Sequence, residues 1–121
     1  MATVNIVNVT SILPFTLNGA VTTSAVNIID VPADKLQKVN TIIIANIDGT
    51  NAATVTIAIS NDNGSSYYEI ASTVSIPADS TLVVVDKNSS IYLDETDLLR
   101  VVASANSDLT YTVSGEILDD A

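Results

Sequence analysis

The reactive side chains of this chain are few in kind. It contains no His and no Cys, so a Ser–His–Asp triad, a Cys–His dyad and a thiolate nucleophile are all out of reach. What remains are carboxylates, fourteen Asp and Glu together. Two of them at a suitable separation are enough for glycoside hydrolysis. Sugar clefts, however, use aromatic platforms, and there is no Trp here, with one Phe and four Tyr. Asp48, Asp62, Asp94, Glu95, Asp97, Asp108 and Asp119 also fall in stretches that read as turns, where a solvated charge is ordinary. The inventory points away from an enzyme.

Oxygen ligands could serve a cation instead. Asp94, Glu95 and Asp97 form one candidate set, and Asp62, Asn63 and Glu69 another. Neither has the spacing of an EF-hand loop, and Asp and Asn favour turns without any metal. Phosphate-cradling patterns of the G-x-x-x-x-G-K or G-x-G-x-x-G type do not occur. No metal and no cofactor are therefore expected. The single aromatic pair is Tyr67-Tyr68. Neighbours on a strand point to opposite faces, which places Tyr68 inside with Ile70 and Tyr67 outside. An outward Tyr67 is an interface anchor, a sugar contact, or a cover for a neighbouring strand of its own chain.

Charge removes further classes. Four basic residues (Lys35, Lys38, Lys87, Arg100) against fourteen acidic ones give a formal charge of -10. A phosphate backbone needs clustered cations, so nucleic acid is not a partner, and an anionic membrane surface would repel the chain. The longest apolar run, at residues 42–45, is far too short to span a bilayer. The acidity reads as a solvated surface or as complementarity to a basic partner. The opening MATVNIVNVTS lacks the basic and continuous apolar regions of a secretory signal, and the absence of Cys fits a reducing cytoplasm. Sequons at Asn8, Asn63 and Asn88 then have no glycosylation route.

The positioning elements all read as strands. Val, Ile, Thr and Ala dominate, turns rest on Asn, Asp and Ser, and no apolar 3.6-residue period runs for ten residues. Residues 3–10 read as a first strand whose phase slips: Val4 and Ile6 face one way, Val7 and Val9 the other. That implies a bulge or burial against a neighbouring chain, so all four are interface candidates. Pro14 ends this strand or marks an edge, Asn18-Gly19 reads as a turn, and a second strand covers residues 20–31.

Residues 38–60 read as the hairpin that organises the rest. Its first strand puts Val39, Thr41, Ile43, Ala45 and Ile47 on one face and Ile42 and Ile44 on the other, apolar on both sides. Ile42 and Ile44 are therefore candidates for cover by another chain. The corner Val31-Pro32-Ala33-Asp34 has a near copy in Ile76-Pro77-Ala78-Asp79, the same turn chemistry at two strand ends. Strands are expected also at 54–60, 67–76, 81–86, 91–93, 98–105 and from Leu109 on. Eight or nine short strands with turns every eight to twelve residues describe an all-β antiparallel β-sandwich, jelly-roll or immunoglobulin-like. Residues 1–121 read as one domain, with 1–17 an N-terminal arm or edge strand. More apolar strand faces are present than one small sandwich needs, which suggests self-association or assembly with a larger structure.

Over residues 27–117 three runs stand in order: IIDVPADKLQKVNTIIIANIDGT, ATVTIAISNDNGSSYYEIAS and VSIPADSTLVVVDKNSSIYLDETDLLRVVASANSDLTYTVSGEIL. This order resembles that of small β-sandwich virion proteins of tailed bacteriophages, which include capsid decoration (cement) proteins and accessory proteins of neck, tail or fibre. The resemblance implies a non-enzymatic virion protein made in the host cytoplasm. Its partners would be the major capsid protein or other virion proteins and further copies of itself, as a trimer by preference. The implied role is clamping shell subunits, with residues 2–14 as an arm adding a strand to a neighbour's sheet. The alternative it implies is a neck, tail or fibre protein that binds a receptor or carbohydrate.

Overall fold

Runs of Val, Ile and Thr set the elements. In the computed structural model, which describes residues 4–120, the strands are β1 (Ser11–Val21), β2 (Val26–Asp30), β3 (Leu36–Asn46), β4 (Ala53–Ser60), β5 (Tyr68–Ile76), β6 (Thr81–Val85), β7 (Ile91–Leu93), β8 (Leu98–Ala103) and β9 (Leu109–Asp119). Among the described residues, helical backbone is confined to 3₁₀ turns at Ile6–Asn8 and Lys87–Ser89. All pairings are antiparallel and make two sheets. One runs β1-β9-β3-β6, with β7 also against β3; the other runs β2-β8-β4-β5. Strands β1 to β4 alternate between the sheets, as do β7 to β9, which is jelly-roll winding. The protein is an all-β sandwich.

The core fills the space between the sheets. Val39, Ile42 and Ile44 of β3 and Val113 of β9 join Val55 and Ile57 of β4 and Leu99 and Val101 of β8 in one buried cluster. Each such side chain contributes roughly 1.5–3 kcal/mol by leaving water. A second, smaller cluster lies on the outer side of the first sheet. There Val4, with Val9 packed beside it, covers Leu36 and Leu118.

Several expectations are corrected. Residues 38–60 are not a hairpin: β3 and β4 lie in opposite sheets. The Asn46 side chain donates to the carbonyls of Asn51 and Ile76 at 2.9 Å each, and this anchors the crossing between layers. The hairpin within one sheet is β4–β5. The expected faces of β3 fail because its register against β9 slips between Val39 and Thr41. That slip puts Val39 on the same side as Ile42 and Ile44, all three in the core.

The N-terminal phase slip marks a turn, not a strand: the Asn5 side chain accepts from the Val7 N–H at 3.0 Å and caps the 3₁₀ turn. Residue 3 of that expected strand lies outside the described residues. Pro14 and Asn18-Gly19 sit inside β1, with Asn18 opposite Thr112 and Gly19 opposite Tyr111. Pro14 is tolerated because β1 is an edge strand, where a missing N–H can face away from the ladder. Gly19 leaves room for the Tyr111 ring, which lies 3.1 Å from where a Cβ would stand and would have to shift to admit one. Gly115 is required: a Cβ there would stand 1.8 Å from the Lys38 carbonyl oxygen, beside the β3 register slip.

Candidate interaction surfaces

The acidic turns are occupied by the fold's own backbone. Asp34 and Asp79, the last residues of the two Pro-Ala-Asp corners, both take the left-handed conformation at φ 62° and 58°. Each corner hands the chain from the β2-β8-β4-β5 sheet to the other. The Asp34 N–H donates to Glu95 Oε2 at 2.6 Å, and the Asp79 N–H to the Asp48 carbonyl at 3.1 Å. Glu95 is buried, and its Oε1 has no hydrogen-bond partner among the described residues. Asp97 accepts from the Asp94 N–H at 2.8 Å and from the Asn61 side chain at 3.0 Å.

The second acidic set is used in the same way. Asp62 accepts from the Ser60 hydroxyl at 2.9 Å and the Ser66 N–H at 2.8 Å, while Glu69 stands apart on β5 opposite Ala58. The Ser66 and Ser60 hydrogen bonds hold the Asp62 carboxyl down to about 2. The N–H groups of Thr50 and Asn51 lower the Asp48 carboxyl. Its neighbour Asp108 is raised, first by desolvation and then by the Asp48 carboxylate. Among the described residues no three His, Cys, Asp or Glu are placed to share a cation.

The interface candidates separate. Ile42 and Ile44 are 0% exposed in the single chain, so they belong to its core and are not offered to a partner. Their apolar neighbours on the opposite face of β3 made the strand read as surplus. Val4 is buried and Val9 half-buried over Leu36 and Leu118. Ile6 and Val7 stand free, Val7 at 86% exposure. Tyr67 covers its own chain: its ring lies 3.7 Å from the Arg100 guanidinium, and its hydroxyl donates to Asn27 Oδ1 at 3.0 Å. Tyr68, expected inside, is 73% exposed. Tyr67 precedes β5, so strand alternation never governed which way it points.

Other exposed apolar residues were not singled out: Ile12 and Leu13 on β1, Val83 on β6 and Tyr92 on β7. The signal for the first two was present in Ile12-Leu13-Pro14, an apolar pair against an edge-marking proline. The cations are largely engaged, Lys35 with Asp119, Lys38 over the Tyr92 ring at 5.5 Å and Arg100 with Tyr67.

No protein-family model and no curated protein sequence matches the chain. Solved structures do. A subunit from Bacillus endospore appendages, a family of disulfide-linked pili, aligns at TM-score 0.52 and 14% identity, over 90% of this chain and 86% of its own. A pentameric capsid protein from metagenomic phage sequences, solved twice, aligns at TM-score 0.41 and 16% identity. This chain is covered to 87% in both alignments, and those chains to 62% and 64%. The likeness to the appendage protein is one of fold. No helix of the described residues is long and apolar enough to cross a membrane.

Proposed function

We propose that the protein is a non-enzymatic structural component of a bacteriophage particle, a decoration (cement) protein that binds and stabilises the shell. The observation that carries this reading is the ordered set of motifs over residues 27–117, with its two Pro-Ala-Asp corners. In the fold both corners do one job, turning the chain from one sheet to the other with Asp in the left-handed conformation. The charge supports the same reading. With Lys35, Lys38 and Arg100 held by residues of the chain, a partner meets a surface dominated by carboxylates, complementary to basic patches on a shell. Ile6 and Val7 add an apolar contact at the N-terminal segment. The alternative of a carbohydrate-binding fibre module centred on Tyr67 loses its anchor, since the ring and hydroxyl are both engaged within the chain.

The test is to add purified protein to shells that lack it and measure copies bound and shell melting temperature. Binding in copies that scale with the capsomers, with a rise in melting temperature lost at high salt, is the expected result. Absence of binding overturns the proposal, and a few copies confined to a vertex or tail assign the protein to the neck, tail or fibre.

A further inference from the structure

We propose that the open edge of β1 pairs with the same edge of a second copy, about a two-fold axis at Asn18, joining the two sheets into one. This deepens, and rests on, the reading of the chain as an assembling component. β1 pairs with β9 along all eleven of its residues and, among the described residues, has no strand on its other side. That side presents unpaired backbone groups, which is how strands are recruited.

Soluble proteins guard such edges with charge, bulges or brevity. β1 is long, its register with β9 is unbroken, and it carries no charged residue. No charge occurs anywhere between Val4 and Ile29, in a chain of net charge -10. Its one guard is Pro14, which leaves Phe15 to Val21 open.

The occupant follows from charge and symmetry. The other edges carry or adjoin carboxylates: β2 has Asp30, β5 has Glu69, and β6 lies between Asp79 and Asp86. Two copies therefore repel one another at those edges and meet without like charge in the strands themselves at β1. Antiparallel pairing of identical strands is self-complementary, so a single contact satisfies both copies. Centred on Asn18, it sets Thr16 against Ala20 and Leu17 against Gly19, and keeps Pro14 outside the joint. Thr16, Asn18 and Ala20 are exposed in the single chain and share the outer face of the sheet. The product is a dimer, in place of the trimer that the virion resemblance implies.

The absence of native Cys makes the test direct. Residues opposed across the axis stand about 4.5 or 5.5 Å apart at Cα, within the roughly 4.4–6.8 Å that a disulfide bridges. Asn18→Cys should cross-link into a dimer under mild oxidation, while Ser75→Cys, exposed on β5, should not. Sedimentation should show a wild-type dimer at micromolar concentration, and Asn18→Lys, which opposes two cations, should weaken it by about tenfold or more with an unchanged circular dichroism spectrum. A monomeric wild type, a dimer indifferent to Asn18→Lys, or equal cross-linking at positions 18 and 75 overturns the proposal. A solution dimer that fails to bind shells leaves this pairing standing and removes the particle role; a monomer that binds shells does the reverse.

Discussion

β3 and β1 are both eleven residues long and both flank β9, yet only β1 leaves large apolar side chains exposed. β3 has β9 on one side and β6 and β7 on the other, with the second sheet over its inner face. Even Leu36, on its outer face, is covered by Val4. Among the described residues β1 has a neighbouring strand on one side only, and Ile12 and Leu13 stay exposed. Each strand carries six residues of the Ala, Val, Ile, Leu and Phe types, yet only β1 holds an unsatisfied edge. Place in the sheet, more than hydropathy, decides what is left for a partner.

The largest effect is expected where β3 and β9 approach most closely. Gly115→Ala drives a methyl into the Lys38 carbonyl, backbone that cannot move aside cheaply, and should cost at least about 2–3 kcal/mol in denaturant unfolding, or abolish folding. Next comes Ile44→Ala in β3, expected to cost about 3 kcal/mol by leaving a cavity, whereas Ile12→Ala in β1 should stay within about 0.5 kcal/mol when both are measured on dilute protein. Equal costs would erase the distinction between the two strands.

A smaller effect separates the acidic turns from the edge by pH. Asp62 has its carboxyl lowered from 3.8 to about 2, so it adds stability above pH 4 that is lost as pH falls towards about 2. Asp62→Asn should lower the urea midpoint near neutrality and leave it little changed near pH 2, flattening its pH dependence across that window. β1 has no titratable side chain, so substitutions within it should shift the midpoint equally at every pH.

Much of this fold was legible in the sequence. The all-β class followed from β-branched runs and Asn/Asp turns, and β4, β6, β7 and β8 begin within a residue of where alternation placed them. The two corners were also readable, because Pro fixes one dihedral and a short polar residue tolerates the left-handed one. Pairing was not readable. Residues 38–60 look like a hairpin because local pattern says nothing of which sheet receives each strand. The register slip at Val39/Thr41 reversed a face that strict alternation had fixed. The candidate surface was legible in part: of the four N-terminal residues that the phase slip marked, Ile6 and Val7 are exposed, while β1 was hidden behind Asn18-Gly19, a turn signal overridden by Tyr111 packed on that glycine.

Amide hydrogen exchange of the intact chain at low and high protein concentration puts the contrast between β1 and β3 to the most direct test. The amides of Thr16, Asn18 and Ala20 should slow as concentration rises, while those of Ile42 and Ile44 stay slow and unchanged throughout. Concentration-independent exchange in β1, or new protection confined to β5 or β6, would contradict it.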